Sequence, residues 1–174
     1  MTLLQARNIH KQFGGVKALQ GASVKIRKGS ITAIIGPNGS GKSTLFNVIS
    51  KLLEPDHGRV LLGRELLNGC SVHGVSSWGI SRTFQQVRLF RNLTVADHIA
   101  IALSKTDENL LRNLISRNRI PVERIKHYLD MVGFNKPLST YAADLSYGQR
   151  KLLDLAIALA NPHKVLLLDE PVAG

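Results

Sequence analysis

The sequence predicts an α/β fold, and three observations support that prediction. The apolar, β-branched run Ile31–Ile35 leads into a glycine-rich segment and then into residues with helical spacing, which indicates a strand, loop and helix in succession. Residues 2–9 and 16–26 have the composition of two strands joined by a turn, so a β-rich edge forms the N-terminal part. From Thr94, and again over residues 122–132, apolar side chains recur at helical spacing, which predicts a helical insertion.

Composition and charge limit the class of protein. A chain of 174 residues with 44% apolar residues can bury a substantial core, which argues against disorder. No apolar run approaches the roughly 18 to 20 residues that span a bilayer, and the first residues lack a signal-peptide pattern, so we expect a cytoplasmic protein. The single cysteine, Cys70, fits a reducing compartment. A net charge of +11 suits an acidic partner, whether nucleotide, nucleic acid or anionic membrane.

The glycine-rich segment fits the phosphate-binding pattern G-x-x-x-x-G-K-[ST] at every fixed position. Its glycines allow backbone N–H groups to turn toward phosphates, and the helix that follows directs its positive end to the same point. Lys42 adds a positive charge, and the Ser43 hydroxyl is a ligand for Mg²⁺. A chance match in an ordinary turn is the alternative, and the strand before it and the helix after it argue against that. The predicted nucleotide-binding residues are Gly36, Pro37, Asn38, Gly39, Ser40, Gly41, Lys42, Ser43 and Thr44.

Several shorter features complete the first half of the chain. Phe13 stands in a predicted turn over residues 11–15, either as a lid on the core or as a flat surface for an adenine ring. Residues 59–63 are a predicted short strand, and residues 73–79 a predicted short helix. A further strand over residues 80–84 runs into Gln85.

The C-terminal part combines a capped helix with an acidic strand end. Ser146 with Gln149 three residues later forms a capping box, and a capped helix start favours anions. After that helix, Val165–Leu168 is a predicted buried strand that ends in Asp169 and Glu170. Adjacent carboxylates at such a position are costly unless they are paired or bound to a cation, and beside a phosphate loop Mg²⁺ is the expected cation.

Taken together, these motifs resemble the nucleotide-binding subunits of ATP-binding cassette (ABC) transporters. The match covers nearly the whole chain: the aromatic residue, the phosphate loop, the glutamine loop, the signature Leu145–Gln149 and the acidic strand end. Residues 82–94 and the closing Pro171–Gly174 are similar to importers of branched-chain amino acids and related amides.

The resemblance implies a P-loop NTPase core of ABC type, with an antiparallel N-terminal edge and a helical subdomain. The core comprises residues 1–85 and 160–174, the helical subdomain residues 86–145, and the signature helix residues 146–160. The family continues past Pro171 into a further strand and a histidine that this chain lacks. We therefore expect missing C-terminal strands and a seam in the sheet beside Ile31–Ile35.

The resemblance also implies roles for individual residues, with ATP and Mg²⁺ as the cofactors. The catalytic residues are Glu170, which polarises the attacking water, Gln85, which reaches the metal and that water, and Lys42, which holds the phosphates. The metal ligands are Ser43, Asp169 and Gln85.

The implied partners are a second ATPase subunit and integral membrane permease subunits. Ser146, Gly148 and Gln149 contact the ATP of the second subunit in a head-to-tail dimer, and Tyr147 replaces the glycine of the commonest signature. The protein is then peripheral on the inner face of the cell membrane, with no nucleic-acid partner expected. Two alternatives stay open: a nucleic-acid-handling ATPase of the same superfamily, and a fragment that is inactive or only binds nucleotide. The short interval between Gln85 and Leu145 favours the transporter.

Overall fold

The computed structural model of the chain describes residues 1–69, 78–83, 89–104 and 120–169. The chain forms two compact units, Met1–Ile80 and Ser81–Gly174. Several predicted features lie outside the described residues: most of the short helix over residues 73–79, the basic stretch after residue 104, Cys70, Gln85 and Glu170.

The first unit contains a four-stranded antiparallel sheet. Its strands are β1 (Thr2–Phe13), β2 (Val16–Arg27), β3 (His57–Leu62) and β4 (Glu65–Leu66), in the order β2-β1-β3-β4. The antiparallel N-terminal edge is therefore confirmed. The turn predicted over residues 11–15 is narrower, because β1 continues to Phe13 and only Gly14 and Gly15 reverse the chain, with Gly14 at φ 54°.

Helix α1 (Lys42–Ile49) follows the phosphate loop directly. It buries Leu45, Val48 and Ile49, which stand on one face at helical spacing. The predicted helix is confirmed, and it begins at Lys42, within the phosphate-binding motif.

The predicted buried strand Ile31–Ile35 is wrong in this structure. The segment has no regular structure, and the side chains of Ile31 and Ile35 are 102% and 92% exposed. An apolar, β-branched run becomes a strand only where neighbouring strands accept its N–H and C=O groups. Within the described residues no strand pairs with this segment, so its composition alone does not give it an extended, buried position.

The second unit is built mainly from helices: α2 (Val95–Ser104), α3 (Val122–Met131) and α4 (Tyr147–Ala160). Leu153 and Ala156 of α4 share one apolar cluster with residues of α2 and α3. The helical region from Thr94 and the helix from Val122 are thus confirmed. In the part of the chain that the structure describes, no helix is long and apolar enough to cross a membrane.

Two short strands lie beside these helices in the chain, β5 (Ile80–Arg82) and β6 (Val165–Leu167), and they pair with each other. The backbone N–H of Thr83 extends this pairing by donating to the Leu167 carbonyl at 3.0 Å. The strands predicted over residues 80–84 and 165–168 are confirmed in type, with β6 one residue shorter than predicted.

Reciprocal hydrogen bonds cap the start of α2, where Thr94 followed by Asp97 three residues later has the sequence pattern of an N-cap. The Asp97 N–H donates to Thr94 Oγ1 at 3.2 Å, and the Thr94 N–H and hydroxyl donate to Asp97 Oδ2 at 2.9 and 2.6 Å. These bonds, first from the Thr94 hydroxyl and then from its N–H, lower the pKa of the Asp97 carboxyl below its ordinary value.

Replacing Asp97 by Ala tests this cap. We expect the free energy of unfolding to fall by about 1 kcal/mol at neutral pH, because the two donors lose their acceptor. The folded-state pKa of Asp97 lies below the ordinary 3.8, so its contribution is present above 3.8 and is lost as the pH falls through the folded value. Chemical denaturation of parent and variant at neutral pH and at several pH values below 3.8 measures this.

The exposed carboxylate Asp130, in the last turn of α3, provides the control variant Asp130→Ala. It should change stability little at any pH. If Asp97→Ala lowers the stability by the same amount at every pH measured, including the most acidic, the cap does not depend on the ionised Asp97 carboxylate and the assignment is wrong.

Candidate nucleotide-binding site

The phosphate loop is held together by its own lysine. The ammonium group of Lys42 donates to the carbonyl oxygens of Gly36 and Pro37, each at 2.7 Å. The Ser40 N–H donates to the Pro37 carbonyl at 3.3 Å, which tightens the turn. The lysine charge therefore lies at the loop itself, where bound phosphates would need it.

Gly41 places the start of α1 directly against strand β2. It has φ 88°, and a Cβ atom there would stand 2.6 Å from the Ala18 carbonyl oxygen and 2.9 Å from Leu19 Cδ2. Only glycine accepts both the left-handed backbone and this close approach. The sequence predicts glycine here from the motif, and the structure supplies the contact that requires it.

The N-terminus of α1 has the properties of an anion site. The first N–H groups of a helix have no partner within it, and the macrodipole adds partial positive charge. No acidic residue occupies the first turn of α1, and Ser43 is exposed. A phosphate group there would be stabilised by the backbone, by Lys42 and by the accessible Ser43 hydroxyl.

Phe13 does not act as a lid on the core, because 49% of it is exposed. It ends β1 opposite Val16, and the Lys11 ammonium lies 5.8 Å from the centre of its ring. From Val16, three steps along β2 cover about 10 Å and reach Leu19, which contacts Gly41. The accessible aromatic face at the end of β1 and the phosphate loop thus both adjoin the first residues of β2.

A pocket of about 350 Å³ lies at this end of the sheet. An ion pair in its wall joins Lys11 to Asp56 at 2.6 Å, and the Gln12 N–H donates to the same carboxylate at 2.7 Å. These contacts, the lysine first, lower the pKa of Asp56. Sequence reasoning missed this pair, since the stretch around Asp56 shows only a chain break. The pocket is lined by His10, Lys11, Gln12, Lys17, Leu19, Gln20, Asp56 and His57.

In the second unit, Asp169 is paired with an arginine that the sequence analysis did not single out. Arg82 Nη2 donates to Asp169 Oδ2 at 2.9 Å, and the two side chains are only 9% and 12% exposed. The expectation that a carboxylate at this strand end needs a partner or a cation is met by this pair. The other predicted residues of this region, Gln85 and Glu170, lie outside the described residues.

The signature region has the capped helix start that the sequence predicts. Ser146 Oγ accepts from the Gln149 N–H at 3.3 Å, and Gln149 Oε1 accepts from the Ser146 N–H at 3.0 Å. A Cβ atom on Gly148 would meet nothing within 4 Å, and Tyr147 is 53% exposed. The first turn of α4 has no acidic residue, so its positive end is also accessible to an anion.

The donor chemistry of the predicted metal ligands fits Mg²⁺. Ser43 offers a hydroxyl and Asp169 a carboxylate, both of them hard oxygen donors. Among the described residues, no group of three or more His, Cys, Asp or Glu side chains is placed to hold a metal ion.

The sequence profile described as ABC transporter matches residues 19–173. The chain belongs to the ABC transporter family. A probable branched-chain amino acid transport ATP-binding protein, LivG of Methanocaldococcus jannaschii, is 37% identical to it over 179 residues. That alignment covers all of this chain and 70% of the relative, so the chain spans about 70% of the length of this curated protein.

Solved structures agree with the sequence comparison. An ATP-binding cassette of an ABC transporter in its ADP conformation is 38% identical, with a TM-score of 0.77, and the match covers all of this chain and 70% of the other. A dimeric ATP-binding cassette in a post-hydrolysis state, bound to ADP and Pi, has a TM-score of 0.77 at 26% identity over 98% of this chain and 75% of the other. These matches confirm the predicted family, the α/β ABC ATPase fold and nucleotide binding.

Paired variants of two loop glycines test the close approach at Gly41. Gly39 has a similar backbone, φ 81°, but open space around its Cβ position, so Gly39→Ala costs only the left-handed strain of about 1–2 kcal/mol. Gly41→Ala adds a clash with backbone, and we expect a further loss of about 1–3 kcal/mol together with weaker ADP binding. Urea denaturation and ADP titration of both variants provide the measurement. Equal stability losses would show that the approach of α1 to β2 is not the constraint.

Proposed function

We propose that this chain is the ATP-binding and ATP-hydrolysing subunit of a membrane importer for branched-chain amino acids or related amides. The observation that carries the proposal is the phosphate loop, in which Lys42 and the start of α1 are held in one unit with an accessible Phe13. Support for the transported class comes from the branched-chain amino acid transport protein with 37% identity.

In this proposal the residues of the first unit bind the nucleotide. Phe13 stacks on the adenine, and the loop amides with Lys42 hold the β- and γ-phosphates. Most of the barrier reduction in phosphoryl transfer comes from positioning and charge neutralisation, which is the task of these groups. Mg²⁺, when bound, would neutralise phosphate charge, and Ser43, Asp169 and Gln85 would hold it.

Glu170 orients and polarises the attacking water in this scheme. Replacing it by Gln keeps its size and hydrogen bonding but removes the negative charge. We expect Glu170→Gln to bind ATP as tightly as the parent, to lose most of its turnover, and to form a stable dimer in MgATP. Asp169→Asn is the matched comparison, because it should weaken the Mg²⁺ dependence of nucleotide binding instead.

Turnover assays and size-exclusion chromatography in MgATP measure these outcomes. A Glu170→Gln variant that stays monomeric and hydrolyses ATP at the parent rate would contradict the assignment. Failure of the parent chain to bind or hydrolyse ATP would contradict the proposed function as a whole.

The signature residues would act on a second subunit. Ser146, Gly148 and Gln149 would place the start of α4 against the γ-phosphate of the ATP bound there, in a head-to-tail dimer. Support comes from the accessible helix start, from the open space at Gly148 and from the dimeric cassette among the similar structures. The bare Cα of Gly148 would let phosphate approach the backbone closely.

The contact with the permease would lie in residues 86–104, with Phe90 as its apolar anchor. Phe90 is 67% exposed, whereas its neighbour Leu89 packs against the helical core. The Phe90 N–H donates to Nε2 of the buried His98 at 3.1 Å, and His98 Nδ1 donates to the Thr94 carbonyl at 2.8 Å. This use of both ring nitrogens requires the neutral ring with its hydrogen on Nδ1. The hydrogen bond to His98 therefore fixes the backbone that carries the exposed ring of Phe90, as is usual for interface anchors.

Replacing Phe90 by Asp tests this contact. We expect the variant to bind nucleotide normally and to fail to co-purify with the permease, because a charge replaces the buried anchor. Met131→Asp at the end of α3 is the control, since Met131 is 57% exposed and lies outside residues 86–104. Loss of nucleotide binding in Phe90→Asp, or equal loss of co-purification in both variants, would overturn the assignment.

A further inference from the structure

A network of three contacts fixes the carboxylate of Asp169 against the end of strand β5. Arg82 Nη2 donates to Asp169 Oδ2 at 2.9 Å, and the Asp169 N–H donates to Thr83 Oγ1 at 3.2 Å. The Thr83 N–H in turn donates to the Leu167 carbonyl at 3.0 Å. Arg82 thus holds the carboxylate of Asp169, and the next residue, Thr83, holds the backbone of Asp169.

The charge of Asp169 needs a counter-charge because the side chain is only 12% exposed. An ionised carboxylate that is largely removed from water is costly unless it is paired. A guanidinium group is always charged, so Arg82 supplies that charge whatever else is bound. The contact between the two side chains joins Arg82 Nη2 to the carboxylate oxygen Oδ2 of Asp169.

A metal ion on the same carboxylate would meet a second positive charge nearby. Mg²⁺ binds proteins through one or two carboxylates and retains several waters. Two cations that share one carboxylate repel each other, and each reduces the attraction that the other feels. Mg²⁺ bound to Asp169 would therefore weaken the ion pair with Arg82, and the ion pair would weaken the binding of Mg²⁺.

We propose that Arg82 is the counter-ion of the metal-binding carboxylate of Asp169, and that its positive charge weakens the binding of Mg²⁺ there. Arg82 is a positioning residue in this role, since it acts through Asp169. The inference rests on the proposed function, which assigns Asp169 to the metal. It also links the metal to the glutamine loop, because Gln85 follows Arg82 and Thr83 closely in the chain.

Removal of the arginine charge distinguishes this role from a purely structural one. Arg82→Gln should lower the melting temperature without metal, because it leaves Asp169 unpaired. Mg²⁺ with ADP should then stabilise the variant more than it stabilises the parent. The Mg²⁺ concentration that half-saturates ADP-bound protein should fall by roughly three- to tenfold.

Two further variants complete the design. Arg82→Lys keeps a positive charge on a shorter, single-point donor, so its half-saturating Mg²⁺ concentration should lie between those of the parent and Arg82→Gln. Lys51→Met removes another buried cation, whose ammonium lies 2.5 Å from Glu54 in the first unit. It should lower the melting temperature equally with and without Mg²⁺ and leave the half-saturating concentration unchanged.

The measurements are thermal melts and calorimetric titrations of Mg²⁺ into the full chain with ADP, starting from EDTA. An unchanged or higher half-saturating concentration in Arg82→Gln would overturn the proposal. If Arg82→Gln folds neither with Mg²⁺ nor with EDTA, Arg82→Lys decides the question. A half-saturating Mg²⁺ concentration of Arg82→Lys at or above that of the parent would then overturn the proposal. Absence of ADP binding by the parent, with Mg²⁺ or with EDTA, would overturn the proposed function and this inference together.

Discussion

The close approach of the phosphate-loop backbone to strand β2 is the constraint on which the nucleotide site depends. At Gly41 the backbone passes so near the Ala18 carbonyl that no side chain fits. This contact sets the start of α1 beside the first residues of β2, close to Val16, which pairs with Phe13. Lys42 then closes the loop through two of its carbonyl groups. One backbone contact and one side chain therefore fix the loop in which we propose that the phosphates bind.

Local signals made part of the structure predictable. Both capping boxes, Thr94 with Asp97 and Ser146 with Gln149, depend on residues three positions apart, and the structure has both. The β1–β2 hairpin likewise depends on neighbouring segments and a glycine turn. In each case the physical cause lies within a few residues, which is why sequence alone reveals it.

The features that sequence reasoning missed or misjudged depend on distant partners. Arg82 and Asp169 lie 87 residues apart, and Lys11 and Asp56 lie 45 apart, so nothing local indicates that they pair. The error at Ile31–Ile35 has the same origin. Its composition favours a buried strand, but a strand also needs neighbours that accept its hydrogen bonds, and the described residues provide none.

The second unit combines a rigid helical core with accessible functional positions. The apolar cluster around Leu153 and Ala156 fixes α4, whose first turn carries the signature residues. The buried His98 fixes the backbone that presents Phe90 to solvent. Since packing determines the backbone in both places, the exposed residues are free to contact partners. This division agrees with the proposed ATPase, which would engage both a second subunit and a permease.

Photolabelling with 8-azido-ATP tests most directly the claim that the first unit binds one nucleotide between its hairpin edge and its phosphate loop. The account predicts that the label attaches to the peptide that contains Phe13, that excess ATP prevents it, and that Lys42→Ala abolishes it. Labelling confined to peptides of residues 81–174, or labelling of the Phe13 peptide that Lys42→Ala leaves unchanged, would contradict the account.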